Sequence, residues 1–221
     1  MKKQILAILG DYYHEEGIIA QALHHAVQEL KAEGIHIDVE YILADQLVER
    51  LQDRPDAVIL SKANKLNPTE NHIINWMDEH VEREICQYVK GGGGWFGWHS
   101  GLSSYEFLDD YYSMVRGKFD FHPPEQRIVS YIPTDHTKVI STIDRFEIVD
   151  EHYFVTCDEQ NTNVFLQAIS NAGSSIAGWN HEYGKGRVIC LTPSHTKEGL
   201  LHRGMIDLFS QSLKWCLRIT W

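Results

Sequence analysis

The pentapeptide Gly97-Trp98-His99-Ser100-Gly101 holds an imidazole between two glycines. Its spacing is that of a nucleophile elbow, with histidine where such elbows carry the nucleophile. A sharp turn of this kind lifts one side chain above the C-terminal edge of a sheet. Flanking glycines let helix and strand approach closely. That edge is where open α/β sheets bind ligands, and helix N-termini add free amides there. Taken alone, the pattern fits a glycine-rich turn with a solvated histidine equally well.

Two further segments carry compatible chemistry. Phe146-Glu147-Ile148-Val149-Asp150-Glu151-His152-Tyr153 reads as a strand ending in adjacent carboxylates. At a sheet edge such a group serves as a general base or a metal ligand, and otherwise as an exposed acidic turn. Trp179-Asn180-His181-Glu182-Tyr183-Gly184-Lys185-Gly186-Arg187-Val188 contains a sound hairpin turn. The strand that follows ends in Thr192-Pro193-Ser194-His195 and delivers His195 to a sheet edge, the edge His99 would occupy. Imidazole and carboxylate together support proton transfer, or a zinc site of three protein ligands and an open position. No local H-x-x-x-H motif accompanies them. Trp98 and Trp179 are aromatic residues in these segments whose ordinary place is the core.

Other chemistries find less support. Gly91–Gly94 is not followed by Gly-Lys-Ser/Thr, and no G-x-G-x-x-G spacing occurs, which argues against nucleotide binding. The cysteines Cys86, Cys157, Cys190 and Cys216 form no C-x-x-C pair. A net charge of −11 opposes nucleic acid and anionic membranes as partners. The 13 histidines are the side chains that titrate near neutrality and bind metals well. Apolar runs such as Ile5–Leu9 are too short to span a bilayer. Met1-Lys2-Lys3 imitates a signal peptide, but Gly10-Asp11 interrupts the apolar run with no cleavage site, so a buried first strand and a cytoplasmic location are expected.

The elements that must position these residues alternate. Strands are expected at Gln4–Leu9, His36–Leu43, Ala57–Leu60 and Trp95–Gly97. Ile19, Ala22, Ala26 and Leu30 recur at helical spacing, with Gly34 as a stop. Asn67-Pro68-Thr69-Glu70 predicts a helix start, with helical character running to Val89 across a break. Beyond about residue 117 the pattern loosens into strands at Arg127–Ile132, Arg145–Val149, Val164–Ile169, Ser175–Trp179 and Arg187–Leu191. Met205, Phe209 and Leu213 then share one face of a closing helix. The length of 221 residues and the absence of a linker predict one α/β domain over 1–221 with a parallel, doubly wound sheet.

In this order, the pieces resemble the trehalose-utilisation (ThuA-like) family, a branch of the class I glutamine-amidotransferase-like superfamily. The resemblance rests on Tyr13-His14-Glu15, Gly92-Gly93-Gly94-x-x-Gly97-x-His99-Ser100 and Phe121-His122-Pro123. It continues through Asp135-His136, Asp150-Glu151-x-Tyr153, Trp179-x-His181-x-Tyr183-Gly184-Lys185-Gly186-Arg187-Val188 and Ser194-His195. It implies a flavodoxin-like, mostly parallel sheet with helices on both faces and extra strands in the second half. Two departures are visible: the bulky Gly94-Trp95-Phe96-Gly97-Trp98, and Pro193-Ser194-His195 where Gly-His is commoner.

The resemblance also implies function. Glutamine amidotransferases place cysteine at the elbow; imidazole forms no stable acyl-enzyme, so glutaminase chemistry is not expected. A sugar-catabolic role on keto-disaccharides or related carbohydrates is implied instead, by hydrolysis or elimination. His99, Glu151 and His195 are then the catalytic residues, with Glu151 as base and His99 or His195 as acid. His14, Trp98, Ser100, His122, Trp179 and His181 are the substrate-binding set. Two alternatives stand beside it. One is a metal-dependent hydrolase with zinc on His14, His99, Glu151 and His195; the other is a non-catalytic sugar-binding protein. A homodimer is the base-rate expectation for assembly.

Overall fold

The computed structural model describes residues 2–134 and 143–219; the Asp135-His136 part of the motif lies outside them. The chain alternates at first as its apolar periodicity predicts: β1 (Lys3–Leu9), α1 (Glu16–Ala32), β2 (Ile37–Tyr41), α2 (Leu47–Leu51), β3 (Ala57–Ser61), α3 (Glu79–Lys90) and β4 (Gly94–Trp98). α4 (Asp109–Val115), β5 (Gly117–Phe121), β6 (Arg127–Pro133), β7 (Phe146–Asp150), β8 (Phe154–Cys157), β9 (Asn163–Ser170), β10 (Gly173–Tyr183) and β11 (Gly186–Leu191) follow. α5 (Lys197–Leu200) and α6 (Arg203–Cys216) close the chain.

Nine strands form one sheet in the order β2-β1-β3-β4-β11-β10-β9-β6-β7. β2, β1, β3, β4 and β11 pair in parallel. The remaining pairings are antiparallel, so only β10 and β6 run against the other seven. This is the flavodoxin-like frame with an added second half. β3 and β4 are buried at every residue, as parallel strands covered on both faces must be. β7 alternates buried and exposed positions, because the outer half of the sheet leaves one face to solvent.

Helices cover both faces of the parallel half. α1 packs Ile19, Ala22, Ala26 and Leu30 into one core, with Met205, Phe209 and Leu213 of α6 beside them. α2, α3 and α4 cover the opposite face around Leu51, Ile85, Val89, Tyr111 and Trp95. Each fully buried Leu or Ile contributes about 1.5–3 kcal/mol through lost apolar exposure, so these two cores hold the sheet's C-terminal edge in place.

Three local expectations fail for identifiable reasons. No helix starts at Asn67; its Oδ1 accepts the Ile74 amide at 2.6 Å and its Nδ2 donates to the His72 carbonyl at 2.8 Å, closing a loop instead. The helix begins after Asp78, whose carboxylate accepts the amides of His80 and Val81. The elbow leads not into a long helix but into one 3-10 turn over His99–Leu102. β5 and β8 form a separate two-stranded antiparallel ribbon that the sequence pattern does not announce. Its outer Phe121 and Phe154 rings stack on each other, 4.7 Å apart, rather than alternating with polar residues as an ordinary sheet face would.

Candidate active site

The functional side chains sit just past the C-terminal ends of strands that run the same way. β1 leads through Gly10-Asp11 to His14, β4 to His99, β7 to Glu151 and β11 to His195. The elbow is real: His99 has φ +47°, a left-handed conformation uncommon for a residue with a side chain. A β-carbon on Gly101 would lie 2.0 Å from the Leu60 carbonyl oxygen, so only glycine lets the turn pass over β3.

Four groups from these four ends converge. One ligating atom each from His14, His99, Glu151 and His195 all lie within 4.8 Å of one another. Glu151 Oε2 is 3.5 Å from His195 Nδ1 and 3.8 Å from His99 Nε2. A fifth group, His122, brings its Nε2 to 3.8 Å from the same oxygen. His14 and His99 form an edge-on ring contact at 5.1 Å, and Tyr153 stacks on His99 at 4.1 Å.

Hydrogen bonds fix the tautomers of two rings. His99 Nδ1 lies 2.6 Å from the Thr192 carbonyl, which can only accept, so the proton sits on Nδ1 and Nε2 is a bare lone pair. His14 Nδ1 lies 2.6 Å from an Asp11 carboxylate oxygen, which assigns its proton in the same way. His14 Nε2, His99 Nε2 and His195 Nδ1 are buried without a hydrogen-bond partner. Burial holds the His99 imidazole well below its ordinary range, with the neighbouring His14 adding to the shift. Burial also lowers His195, against the opposing pull of the Glu151 carboxylate. Burial alone would raise Asp11, but hydrogen bonds from His14 and from the Ala63 and Tyr13 amides outweigh it. The carboxyl is held well below the usual range.

The two adjacent carboxylates divide their work. Asp150 is fully buried and faces away from the cavity: Oδ1 accepts the amides of Glu151 at 2.9 Å and His195 at 2.8 Å, and Oδ2 accepts the Tyr131 hydroxyl at 2.7 Å. Burial pushes its carboxyl up to about 7, while those hydrogen bonds pull the other way. Glu151 instead projects into a cavity of about 460 Å³. His14, His122, His195, Tyr153, Phe119 and Lys65 also line it, with Tyr12 and Tyr13 at its mouth. A cavity of about 540 Å³ lies at the opposite edge, by Lys3, Asp56 and Gly91–Gly93, and shares none of these groups. The imidazole–carboxylate cluster therefore lies at the smaller one.

Four members of the expected substrate-binding set lie elsewhere. Trp98 is completely buried, its ring 4.3 Å from Phe209 and its indole N–H given to the Pro193 carbonyl. Trp179 is buried on the other face of the sheet, donating to the Val115 carbonyl at 2.9 Å. His181, in β10, bonds the Met114 carbonyl at 2.8 Å. Ser100 is fully buried beneath the elbow. Trp98, Trp179 and His181 are core residues because strand alternation turns their side chains into the helix layers, not out over the edge, whereas Ser100 is buried within the 3-10 turn. His14 and His122 do line the cavity. Tyr153 belongs to the Asp150-Glu151-x-Tyr153 motif, whereas Asp11, Tyr12, Lys65 and Phe119 reach the cavity from outside the expected site set; Asp11-x-x-His14 directly after a parallel strand is their one local signal.

The fold and site define a class I glutamine-amidotransferase-like protein with histidine at the elbow. The model of the ThuA family, described as trehalose utilisation, matches residues 5–216. The chain belongs to this family. It is similar in structure to a ThuA-like protein of Parabacteroides merdae, with TM-score 0.74, 12% identity, and 98% and 90% of the two chains covered. A ThuA-like protein of Bacteroides uniformis aligns with TM-score 0.72, 16% identity, and coverage of 97% and 91%. A cytoplasmic protein of Salmonella typhimurium aligns with TM-score 0.65, 16% identity, and coverage of 96% and 98%. No curated protein matches the sequence. Among the described residues, no helix is long and apolar enough to cross a membrane.

Proposed function

We propose that the chain is a cytoplasmic enzyme of sugar catabolism that performs acid–base chemistry on a small, oxidised carbohydrate. The observation that carries this reading is the position of Glu151: its carboxylate stands among imidazoles on the wall of a cavity of disaccharide scale. The family's description as trehalose utilisation supports a sugar as the substrate. Tyr12, Tyr13 and Phe119 supply apolar ring faces of the kind that pack on sugars.

A keto group acidifies the hydrogen on the adjacent carbon. Glu151 takes that proton, the electron pair moves toward the keto oxygen and then expels the glycosidic oxygen, and an imidazole protonates the leaving oxygen. The acid is His122 or His195, both of which reach the cavity. His99 does not suit that task, because its proton is committed to Thr192 and its inward nitrogen can only accept. Glutaminase chemistry has no cysteine nucleophile here: none of the four cysteines lines the cavity, and burial raises each thiol.

The test is turnover of 3-keto-disaccharides by the wild type and by Glu151→Gln. Cleavage that falls by about 10²–10⁴-fold in the variant is expected for a lost general base. An unchanged rate removes Glu151 from that role. Thermal stabilisation by such sugars without any turnover would make the protein a binder rather than an enzyme.

A further inference from the structure

We infer that His14 Nε2, His99 Nε2, His195 Nδ1 and one Glu151 oxygen bind a divalent transition-metal ion of zinc-like preference. The inference goes beyond the carbohydrate reading and stands without it.

The argument starts from unpaired nitrogens. The Nδ1–H groups of His14 and His99 donate to the Asp11 carboxylate and the Thr192 carbonyl, so two Nε2 lone pairs face inward at buried positions. Only 2% of the His99 side chain and 10% of the His14 side chain is exposed, so water does not satisfy them from outside. His195 Nδ1 joins them without a partner. Buried polar atoms are normally paired, and three unpaired nitrogens within 4.8 Å of one another suit a shared cation. A carboxylate at 3.5–3.8 Å completes the set.

The second layer matches a metal site. Metal-bound histidines commonly give their far N–H to a carboxylate or a backbone carbonyl, which fixes the ring and raises its basicity. Asp11 does this for His14, and Thr192 for His99. The backbone of Glu151 and that of His195 are pinned to one another through Asp150.

Donor type selects the cation. Three imidazoles and one carboxylate suit zinc and its neighbours in the transition series, whereas magnesium and calcium prefer oxygen. Ligands bonded at about 2.0–2.2 Å in a tetrahedron are about 3.3–3.6 Å apart. The Glu151–His195 pair already has that spacing, and the full set, spread to within 4.8 Å, needs only small side-chain rotations to close. Glu151 and His195 also line the cavity, which gives the ion an entry path and a substrate a way to reach it.

A bound ion takes one Glu151 oxygen and leaves only the second oxygen of that carboxylate to accept a proton. His195 becomes a ligand, which leaves His122, at 3.8 Å from Glu151, as the imidazole free to carry a proton.

The test uses the full chain without a histidine tag, stripped with chelator and titrated with Zn²⁺, with Co²⁺ and with Mg²⁺. Expected are one tight equivalent of Zn²⁺, intense visible Co²⁺ absorption of a four- or five-coordinate site, and no competition from Mg²⁺. His195→Ala and Glu151→Gln each weaken Zn²⁺ binding at least tenfold, while His122→Asn leaves it unchanged. Circular dichroism of the stripped variants confirms that they fold. Absence of saturable Zn²⁺ binding overturns the site, as does binding that survives both ligand substitutions, which would place the ion elsewhere. These readouts use no sugar, so their failure leaves the carbohydrate reading standing. Equally, failed turnover with intact Zn²⁺ binding strikes that reading alone.

Discussion

Asp150 Oδ1 accepts the backbone amide of His195 at 2.8 Å, and this contact joins the end of β7 to the end of β11. β7 lies at the outer edge of the sheet and β11 at its centre, with three strands between them. Because the same oxygen accepts the Glu151 amide, one buried carboxylate sets the separation of two site residues. Asp150 is therefore a positioning residue. Asp150→Ala leaves two amides and the Tyr131 hydroxyl without their acceptor, at a cost of about 3 kcal/mol or more. Asp150→Asn keeps an oxygen for the two amides and loses less. Urea denaturation of the pair separates them; equal losses would show that the acceptor geometry is not what matters.

The elbow makes a second prediction. Gly101→Ala drives a β-carbon against the Leu60 carbonyl at 2.0 Å, and a backbone oxygen in a central strand cannot retreat. The variant is expected to lose about 3 kcal/mol or more, at the upper end of overpacking costs. His99 is expected to lose its φ of +47° in any variant that folds. A melting temperature within a degree or two of wild type would contradict the close packing of the turn on β3.

The aromatic residues separate core from cavity. Tyr13 is 59% exposed at the cavity mouth, so Tyr13→Ala is expected to raise KM for a sugar substrate and to change stability by less than about 0.5 kcal/mol. Trp98 is 0% exposed, and Trp98→Ala is expected to cost about 3–5 kcal/mol. The reverse pattern, with sugar affinity tied to Trp98 and stability to Tyr13, would overturn the placement of both rings.

That contrast marks how far the sequence could be read. The parallel strands were legible because continuous apolar runs such as Ala57–Leu60 bury both faces, and α1 because Ile19, Ala22, Ala26 and Leu30 keep helical spacing. The convergence of the candidate site was legible too, since His99 and Glu151 directly follow strands and His195 comes shortly after the end of another. Face assignment was not. Trp98 immediately precedes His99, yet one step along a strand reverses the side chain's direction and sends the indole into the α1–α6 core. Asn67 has the chemistry of a helix cap, and only tertiary context shows that it closes a loop on Ile74 instead. The role of Asp11 depends on a hydrogen bond at the second layer, which no residue pattern displays.

His181 supplies a prediction in pH. It lies in β10 away from the Glu151 cluster, 8% exposed, with Nε2 donating to the Met114 carbonyl. Burial is the main reason its imidazole falls to about 4, with nearby Arg116 adding to the effect; the Met114 bond and Asp158 oppose it. Between about pH 4 and the ordinary value near 6.5, the unfolded chain holds a proton here that the folded chain refuses. Folding stability therefore rises with pH across that window. The contribution is complete above 6.5 and is lost as pH falls through the window toward 4, on the order of 3 kcal/mol in all. His181→Gln keeps an N–H for Met114 but has no proton to refuse. The stability advantage of wild type over this variant is expected to shrink steadily from pH 7 to pH 4.5 in urea titrations. Taking the difference cancels the carboxylates and the other buried histidines, which titrate alike in both proteins. A gap that stays constant with pH would mean that His181 takes up its proton in the folded chain as readily as in the unfolded one.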